Sequence, residues 1–456
     1  MSRTRPPRQA SNSWVPLGSN PRFWVWSLVG LAVWTMCMSW LIRLSCHQIT
    51  WQGDLPFQGA CYSDLPTLYR TTGMVDGNFP YLAPEALLEY PVLQTVIASI
   101  TGVISYGISG DTSVHAAQSI YFDVNFALLL AVWVITVLLL ARMVAAPRFA
   151  VVVALAPAVA ATATINWDLW PVFTAVAALW FFRKERWVLG GVMLGLGTAL
   201  KLWPFVMLGA LMVLAIRQRR FGPVVKAGAG TVLTWVGVNL PFYLLDPTQW
   251  NYFWSFSSDR GAGFSSVYHV WNVAVVPYVG GQPLATETIN MMAYGGFALC
   301  CVGVLAVGLL APRTPSIEQL SLLIVAAFVL TNKVYSPQFV LWLVPLVILA
   351  RPKMGQFLVW QIIEVFHWIA IFSWLHNVSS GTELVDFWTA IYAAAVILHV
   401  VAVVAICAAT VMDILRGRAP QDIPRGRAPK DLVDPGATVN PTNSQHTGAR
   451  EAVTHG

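Results

Sequence analysis

Long runs of apolar residues, separated by short polar connections, fill most of the chain. The first run extends from Phe23 to about Ile42 and has about the twenty residues that a helix needs to cross a membrane. Basic residues at Arg3, Arg5 and Arg8 precede this run, and no small-residue cleavage site follows it. The pattern predicts an uncleaved signal anchor with an inner N-terminus.

A polar segment, residues 44–89, follows the anchor. It holds five acidic residues and few basic ones; the acids are Asp54, Asp64, Asp76, Glu85 and Glu89. Because Lys and Arg are enriched in inner loops, this asymmetry predicts a long first loop on the outer side.

Apolar runs recur regularly along the rest of the chain, and basic residues fall at every second connection. The predicted spans are 119–140, 149–165, 169–182, 187–200, 203–216, 224–245, 288–310, 318–331, 335–350, 355–375 and 387–412. With the anchor they give about twelve crossings and two inner termini. The apolar stretch 91–107 is then left over. Either it dips into the membrane and returns, which we prefer, or the charge rule fails at Arg142 and Arg148.

Several predicted spans are too short to cross the hydrocarbon core as straight helices. Short helices that meet at Trp167-Asp168 and at Lys201 imply non-helical backbone within the membrane. Such backbone is tolerated where it lines a protein cavity. We therefore predict an all-α polytopic protein with broken helices around a cavity that opens outward.

The composition agrees with this class. Of 456 residues, 57% are apolar and 11% are charged, and the mean hydropathy is +0.63, which excludes a soluble domain. The isoelectric point near 9.0 reflects Lys and Arg in short loops and the tail, so it does not indicate nucleic acid. We expect an inner arm (1–22), a membrane domain (23–413) and a disordered inner tail (414–456), in which Arg-Gly-Arg-Ala-Pro occurs twice.

Two of the six cysteines, Cys46 and Cys61, lie in the first loop, and the others lie in apolar spans. A disulfide between these two would tether the segment that carries Asp64 in an oxidising exterior. Two free thiols are the alternative, and the sequence leaves both open.

The segment 61–70 places a carboxylate, two phenols and a guanidinium within ten residues. Sugar transfer from a phosphate leaving group needs a carboxylate that takes the acceptor's hydroxyl proton, and cations that stabilise the departing phosphate. We therefore predict Asp64 as the catalytic base. Asp64 could also be the N-cap of a helix that begins at Leu65-Pro66, and the two roles are compatible.

Few basic residues face outward in this topology. Lys201 and Lys333 lie at the mouths of spans, each before aromatic and Pro residues, where a lipid phosphate would lie. We predict that they bind the donor phosphate together with Arg260; snorkelling anchors are the alternative. The predicted acceptor or sugar contacts are Tyr62, Tyr69, Asp168, His269, Tyr335 and Gln338.

Inside one span, Glu364 and His367 lie on one helix face, either as functional groups or as a mutually satisfied buried pair. We expect His399 to be a core residue. The sequence shows no metal-ligand spacing and no glycine-rich phosphate loop, so we expect no cofactor, with a divalent metal left open.

Several short motifs, taken in order, resemble the actinobacterial membrane glycosyltransferases of family 87, which have the C-type glycosyltransferase fold. The motifs are Cys61-Tyr62-Ser63-Asp64, Phe79-Pro80-Tyr81, Glu89-Tyr90-Pro91-Val92-Leu93, Gly195-Leu196-Gly197 before Lys201, Asn239-Leu240-Pro241, and Asn332-Lys333-Val334-Tyr335-Ser336-Pro337-Gln338-Phe339. The resemblance implies that Asp64 is catalytic and that a lipid-phosphate sugar is transferred with inversion. Many relatives have a His after the Ser-Pro motif; here it is missing, and His269 is one substitute.

These expectations combine into a plasma-membrane glycosyltransferase with its active site on the outer side. It would move a sugar from a polyprenyl-phosphate donor to an envelope glycolipid or glycan, with mannose expected and arabinofuranose left open. The main alternative is a transporter or flippase of lipid-linked sugars, for which Glu364 would matter more than Asp64. A scaffold for other envelope enzymes is a third and weaker interpretation.

Overall fold

The computed structural model describes residues 21–383 and 385–420, which belong to one compact unit. All regular structure within these ranges is helical. The predicted inner arm and tail lie almost entirely outside the described residues.

The first part of the chain forms an anchor helix, a loop with short helices, and two long helices. These are α1 (Pro21–Ile42), α2 (Leu44–Gln48), α3 (Leu55–Gln58), α4 (Asp64–Thr71), a 3-10 turn (Met74–Asp76), α5 (Val92–Ser109) and α6 (Val114–Ala141). We call residues 43–91, between α1 and α5, the first loop.

Broken helices dominate the middle of the chain. They are α7 (Pro147–Ala154), α8 (Pro157–Thr162), α9 (Leu169–Arg183), α10 (Trp187–Leu200), α11 (Trp203–Val206), α12 (Leu208–Gln218) and α13 (Gly222–Leu245).

The last part begins with irregular helical turns and ends with two long helices. It contains α14 (Pro247–Asp259), α15 (Val267–Val270), a π-helical turn (Trp271–Val275), α16 (Val276–Val279), α17 (Thr286–Leu310), α18 (Ile317–Thr331), a 3-10 turn (Pro337–Phe339), α19 (Val340–Ala350), α20 (Met354–Ser380) and α21 (Val385–Leu415).

Seven helices of the described chain are long and apolar enough to cross a membrane, namely α1, α5, α6, α13, α17, α20 and α21. Shorter apolar helices occupy Pro147–Thr162, Leu169–Arg183, Trp187–Leu200, Trp203–Gln218, Ile317–Thr331 and Pro337–Ala350. Each predicted span, and also the additional stretch 91–107, corresponds to one of these helices. The chain is therefore a multi-pass helical membrane protein, and the number of crossings stays a prediction.

The two predicted helix breaks are present. Residues 163–168 are non-helical and almost completely buried between α8 and α9. Lys201 has an extended backbone (φ −153°, ψ 147°) between α10 and α11. Pro204 contributes to this break because it has no N–H to continue the hydrogen-bond ladder. Both breaks bring polar side chains into an apolar interior.

Helix α5 occupies the additional stretch as one uninterrupted helix. Whether this helix crosses the membrane stays a prediction. Met74 and Phe79 of the first loop pack against it at Gly102; a Cβ at this glycine would lie 3.1 and 3.3 Å from their side chains. Ser99 also donates a hydrogen bond to the Pro80 carbonyl (3.2 Å). Helix α5 therefore lies against the first loop.

Helices α10 and α13 pack unusually closely through glycine. A Cβ added to Gly191 would lie 2.1 Å from the carbonyl oxygen of Ala227, and one added to Gly230 would lie 2.6 Å from that of Val188. Thr231 donates a hydrogen bond to the Gly191 carbonyl across the same interface (3.1 Å). Small residues let helix backbones approach in this way, and the contact fixes the helix that ends at Lys201.

Candidate functional site

The start of α4 places the Asp64 side chain. Ser63 is the N-cap, and its hydroxyl accepts from the Leu65 N–H (3.3 Å) and donates to the Thr164 carbonyl (2.7 Å). The backbone N–H of Asp64 donates to the Ile165 carbonyl (2.8 Å). The prediction that Asp64 caps the helix is wrong, because the neighbouring hydroxyl has that role. The Asp64 carboxylate is left available for other contacts.

Two neutral donors hold the Asp64 carboxylate. The Tyr62 hydroxyl donates to Oδ1 and the Asn166 amide donates to Oδ2, both at 2.7 Å. Burial raises the pKa of the Asp64 carboxyl, whereas these hydrogen bonds and the charge of Lys201 lower it. A fixed carboxylate with a raised pKa suits general base catalysis near neutral pH.

A second polar centre lies at Asp168 and Lys201. The Lys201 ammonium donates to Oδ1 of the fully buried Asp168 (2.6 Å), and the indole N–H of Trp342 donates to the same oxygen (2.7 Å). Oδ2 of Asp168 has no hydrogen-bond partner in the described chain. Asp168 therefore compensates and orients the ammonium.

Aromatic rings surround the Lys201 ammonium. Nζ lies 5.8 Å from the ring centre of Tyr90, 5.3 Å from that of Phe339 and 5.5 Å from that of Trp342. An ammonium has three donors, and within the described residues only Asp168 accepts from this one. The side chain is 16% exposed, so a ligand can reach it. The arrangement suits an anion that approaches between aromatic faces.

One short segment connects the two centres. Asn166 binds the Asp64 carboxylate, and Asp168, two residues later, binds Lys201. The hydroxyl of Tyr90 contacts the Asn166 amide, while its ring faces Lys201. The structure therefore brings the predicted base and one predicted phosphate ligand to the same place.

Two more charged groups lie within electrostatic range. Burial raises the pKa of the Glu89 carboxyl, the charge of Asp64 raises it further, and the guanidinium of Arg260 lowers it. Arg260 is exposed, with its guanidinium 5.8 Å from the ring centre of Phe256. A second carboxyl group and a cation thus lie beside the Asp64 centre.

Lys333 is held separately from Lys201. Its ammonium donates to the Asn290 side chain (2.7 Å) and to the Ser258 carbonyl (3.1 Å). Burial lowers the pKa of Lys333, and the nearby charge of Arg260 lowers it further. Arg260 therefore lies within electrostatic range of both Lys333 and Glu89.

The other predicted ligand contacts are buried in aromatic packing or turns. Tyr69 is fully buried and stacks on Tyr121 with ring centres 4.3 Å apart. Tyr335 is 1% exposed, and its ring centre lies 4.0 Å from that of His399. Gln338 is buried in the following 3-10 turn. His269 packs between the rings of Phe264 and Trp374. Within the described residues, no hydrogen bond or ring contact joins any of these four to Asp64.

The buried ionisable cluster in α20 and α21 differs from its prediction. Glu364 accepts from Trp360 (2.6 Å) and pairs with His399 (2.8 Å), while His367 contacts Ser265 (2.8 Å). The predicted Glu364–His367 pair is therefore wrong, whereas His399 is fully buried as a core residue is expected to be and pairs with Glu364. Glu364 instead pairs with His399 on α21, and His367 with Ser265 in the turn before α15, partners that the sequence could not reveal.

Three possible metal ligands in this cluster, from Glu364, His367 and His399, lie within 4.8 Å of one another. The two imidazole rings are stacked at 4.2 Å with planes 13° apart. The lone pair of an imidazole nitrogen lies in the plane of its ring. The lone pairs of two stacked rings therefore run side by side and do not converge on one point. As arranged, the cluster is hydrogen-bonded on one side only: His367 Nδ1 and His399 Nε2 have no hydrogen-bond partner within the described chain.

The disulfide left open by the sequence is present. Cys46 and Cys61 are bonded, with Cα atoms 5.8 Å apart. The bond ties α2 to the residue that lies three positions before Asp64. It therefore restrains the segment that carries the carboxylate and Tyr62.

Four residues of the site were not expected as ligands or partners. They are Asn166, Tyr90, Glu89 and Trp342. Asn166 adjoins a predicted helix break, and Glu89-Tyr90 opens one of the motifs that carry the family resemblance. The sequence therefore gave a reason to consider these three residues as part of the site. Trp342 lies in a continuous apolar run, so the sequence gave no such reason for it.

The sequence profile described as Glycosyltransferase family 87 matches residues 89–331, just over half of the chain. The match includes Tyr90, Asn166, Asp168 and Lys201, and Asp64 lies before it. No curated protein matches the chain.

Proposed function

The chain belongs to glycosyltransferase family 87 and is a membrane glycosyltransferase, and from this premise we propose its donor, base and orientation. We propose that it transfers a sugar, with mannose as first candidate, from a polyprenyl-phosphate donor to an envelope glycolipid or glycan. The transfer takes place on the outer face of the plasma membrane, inverts the anomeric configuration and needs no cofactor.

One observation carries this proposal. A segment of three residues, 166–168, holds a carboxylate at one end and an ammonium at the other. Glycosyl transfer from a phosphate needs these two groups close together, one for the acceptor proton and one for the departing charge.

The proposed reaction is a single displacement. The Asp64 carboxylate takes the hydroxyl proton of the acceptor while the acceptor oxygen attacks the anomeric carbon. The bond between that carbon and the phosphate oxygen breaks, and the phosphate leaves with the electron pair. Lys201 stabilises the phosphate. Arg260, which lies within electrostatic range of Glu89, adds positive charge beside the Asp64 centre, and Lys333 stays a predicted phosphate ligand. The oxocarbenium-like transition state is positive, so the carboxylates beside it also lower its energy.

Asp168 acts through Lys201 in this proposal. Its carboxylate is fully buried, so it contacts no sugar and positions the ammonium together with Trp342. This replaces its predicted role in acceptor binding.

The orientation is supported by the disulfide and by charge. Disulfides persist in oxidising compartments, and Cys46–Cys61 lies in the first loop. The same loop is rich in acids, whereas basic residues cluster in the connections that the charge rule places inside.

The transport alternative is less well supported. It depends on Glu364, and both oxygens of that carboxylate already have partners, Trp360 and His399. A carboxylate satisfied in this way stabilises the packing of α20 on α21, whereas a coupling site must exchange its partner.

The experiment that tests the donor is transfer of radiolabel from polyprenyl-phosphate-mannose to endogenous lipid by membranes that contain the protein. We expect labelled product from wild type and none from Asp64→Ala. Asp76→Ala, an exposed acid of the same loop, is the matched control and retains activity. If wild type gives no product, the arabinofuranosyl donor is tested next. Failure with both donors contradicts the proposal and favours transport.

A further inference from the structure

A cavity of about 290 Å³ lies within the first loop, beside the Asp64 centre. Its walls come from the loop, from α4 and from the start of α6; they are Trp51, Gln52, Gly53, Pro56, Phe57, Tyr62, Thr67, Arg70, Thr71 and Gln118. Tyr62 belongs to both places, because it lines the cavity and donates a hydrogen bond to Asp64.

Helix geometry connects the cavity to the carboxylate. Asp64, Thr67 and Thr71 follow the i, i+3, i+7 spacing of one helix face, and the last two line the cavity. The cavity therefore extends along the face of α4 that begins at Asp64. Arg70 is six residues further on, roughly 9 Å along the helix axis.

The lining is typical of a small-molecule site with specific polar contacts. Aromatic rings of Trp51, Phe57 and Tyr62 provide flat apolar surface, and planar amides of Gln52 and Gln118 are linked by a hydrogen bond (3.3 Å). Such a mixture of aromatic faces and a few fixed polar groups binds ligands that have both apolar faces and hydroxyl groups. A sugar ring has this character.

The charge of the lining is one-sided. Arg70 contributes a guanidinium and no wall residue contributes a carboxylate. The Arg70 side chain is exposed and has no ion pair in the described chain. A guanidinium binds phosphate or carboxylate through two parallel hydrogen bonds.

We propose that this cavity binds the sugar acceptor and that the acceptor carries an anionic group, a phosphate or a carboxylate, which pairs with Arg70. This inference rests on the proposed function, since it assigns the partner of Asp64 in the same reaction. The acceptor enters on the Tyr62 side of the carboxylate, and the donor phosphate enters on the Lys201 side. The distance between Asp64 and Arg70 leaves room for a sugar ring between the reacting hydroxyl and the anion.

The test is a binding measurement without donor, on purified protein in detergent. The probes are glucose, glucose 6-phosphate and glucuronate, which share one ring and differ in charge. We expect at least one anionic probe to bind roughly tenfold or more tightly than glucose. Which anion binds better separates a phosphate-bearing acceptor from a carboxylate-bearing one.

Two variants locate the binding. Arg70→Gln removes the preference for the anionic probes, whereas Arg220→Gln, an exposed arginine between α12 and α13, retains it. Thr71→Trp fills the cavity from the exposed last residue of α4 and abolishes binding of all three probes. Melting temperatures in detergent confirm that the variants are folded.

Two results overturn the inference: equal affinity for charged and neutral probes, and unchanged binding by Thr71→Trp. Absence of binding by wild type overturns it as well. Since no donor is present, an inactive transferase does not affect the result, so failure here is distinct from failure of the proposed transfer.

Discussion

The Asp64 carboxylate is held by two neutral donors, Tyr62 and Asn166, and has no arginine or lysine in direct contact within the described chain. Burial is therefore the largest influence on its pKa, which lies above the ordinary value. A carboxylate held in this way is more basic than an ion-paired one, and this difference makes it suitable for proton abstraction.

The first prediction concerns pH. Because the base acts when ionised, activity falls as pH decreases through the raised pKa of Asp64. Tyr62→Phe removes a hydrogen bond that lowers this pKa, so the acidic limb of kcat/KM against pH moves to higher pH. Tyr69→Phe, on helix α4, leaves the limb in place because the Tyr69 hydroxyl makes no hydrogen bond to Asp64 in the described chain and its ring stacks on Tyr121. A limb that moves to lower pH in Tyr62→Phe would contradict the assignment.

The second prediction concerns the pair of Asp168 and Lys201. Asp168→Asn and Lys201→Gln each lower the transfer rate. The double variant is about as active as the less active of the two single variants, since the residues act as one unit. Measurement of kcat and KM for all four proteins gives the coupling. If instead the fold losses in rate of the two single variants multiply in the double variant, Asp168 does not act through Lys201.

The sequence pointed to Asp64, Lys201 and Tyr62 as candidates but not to their mutual arrangement. The segment 163–168 brings Asp64 and Lys201 together, although its contact residues lie 102 positions from Asp64 and 33 from Lys201 along the chain. Lys333 illustrates the limit, because its motif resembles that of Lys201, yet Asn290 and Ser258 bind it elsewhere. No local pattern specifies partners of this kind.

Helix packing holds the residues of the site in place, and the sequence predicted this packing only in part. The predicted span 187–200 agrees with α10 (Trp187–Leu200), because Arg186 and Lys201 bound the apolar run. For α5 the pattern gave the extent but not the placement. The contacts of Gly102 with Met74 and Phe79, which hold this helix to the loop, are tertiary.

The third prediction concerns the helix contact that supports Lys201. Gly191→Ala places a methyl group against the Ala227 carbonyl and forces α10 from α13, at a cost of about 1–3 kcal/mol, so the melting temperature falls. Gly228→Ala, with no heavy atom near its added Cβ, is neutral or slightly stabilising. Equal melting temperatures would mean that the close contact is not required.

The fourth prediction concerns the disulfide. Cys46 and Cys61 are 15 residues apart, so a chain-entropy argument gives about 3 kcal/mol for this cross-link. Cys46→Ser is expected to lower the thermal stability of the loop and to reduce transfer. Cys37→Ser removes an exposed free thiol and serves as control. Full activity and stability in Cys46→Ser would show that the loop is held by its other contacts.

At the scale of the whole molecule, broken helices bring buried polar segments together inside an apolar bundle. Hydropathy and the charge of the connections predicted the helical class and most segment bounds, because these depend on composition along the chain. The pairing of Glu364 with His399 and the cavity within the first loop depend on the three-dimensional arrangement. Neither could be inferred from one sequence.

The fifth prediction concerns orientation. With the first loop outside, Asp76→Cys reacts with a membrane-impermeant maleimide in intact cells, and Arg220→Cys reacts only after the cells are opened. Both residues are exposed. Wild type gives the background from the native thiols. The reverse pattern would place the Asp64 centre on the inner side.

The proposed mechanism depends most on direct displacement with Asp64 as the base. The measurement that tests it is the anomeric configuration of the product, by NMR, together with the transfer rate of Asp64→Asn. We predict an inverted product and a loss of about 10²–10⁴ in rate, with little change in donor KM, because the base acts in the transition state. A product with retained configuration, or an Asp64→Asn variant close to wild type, would contradict the mechanism.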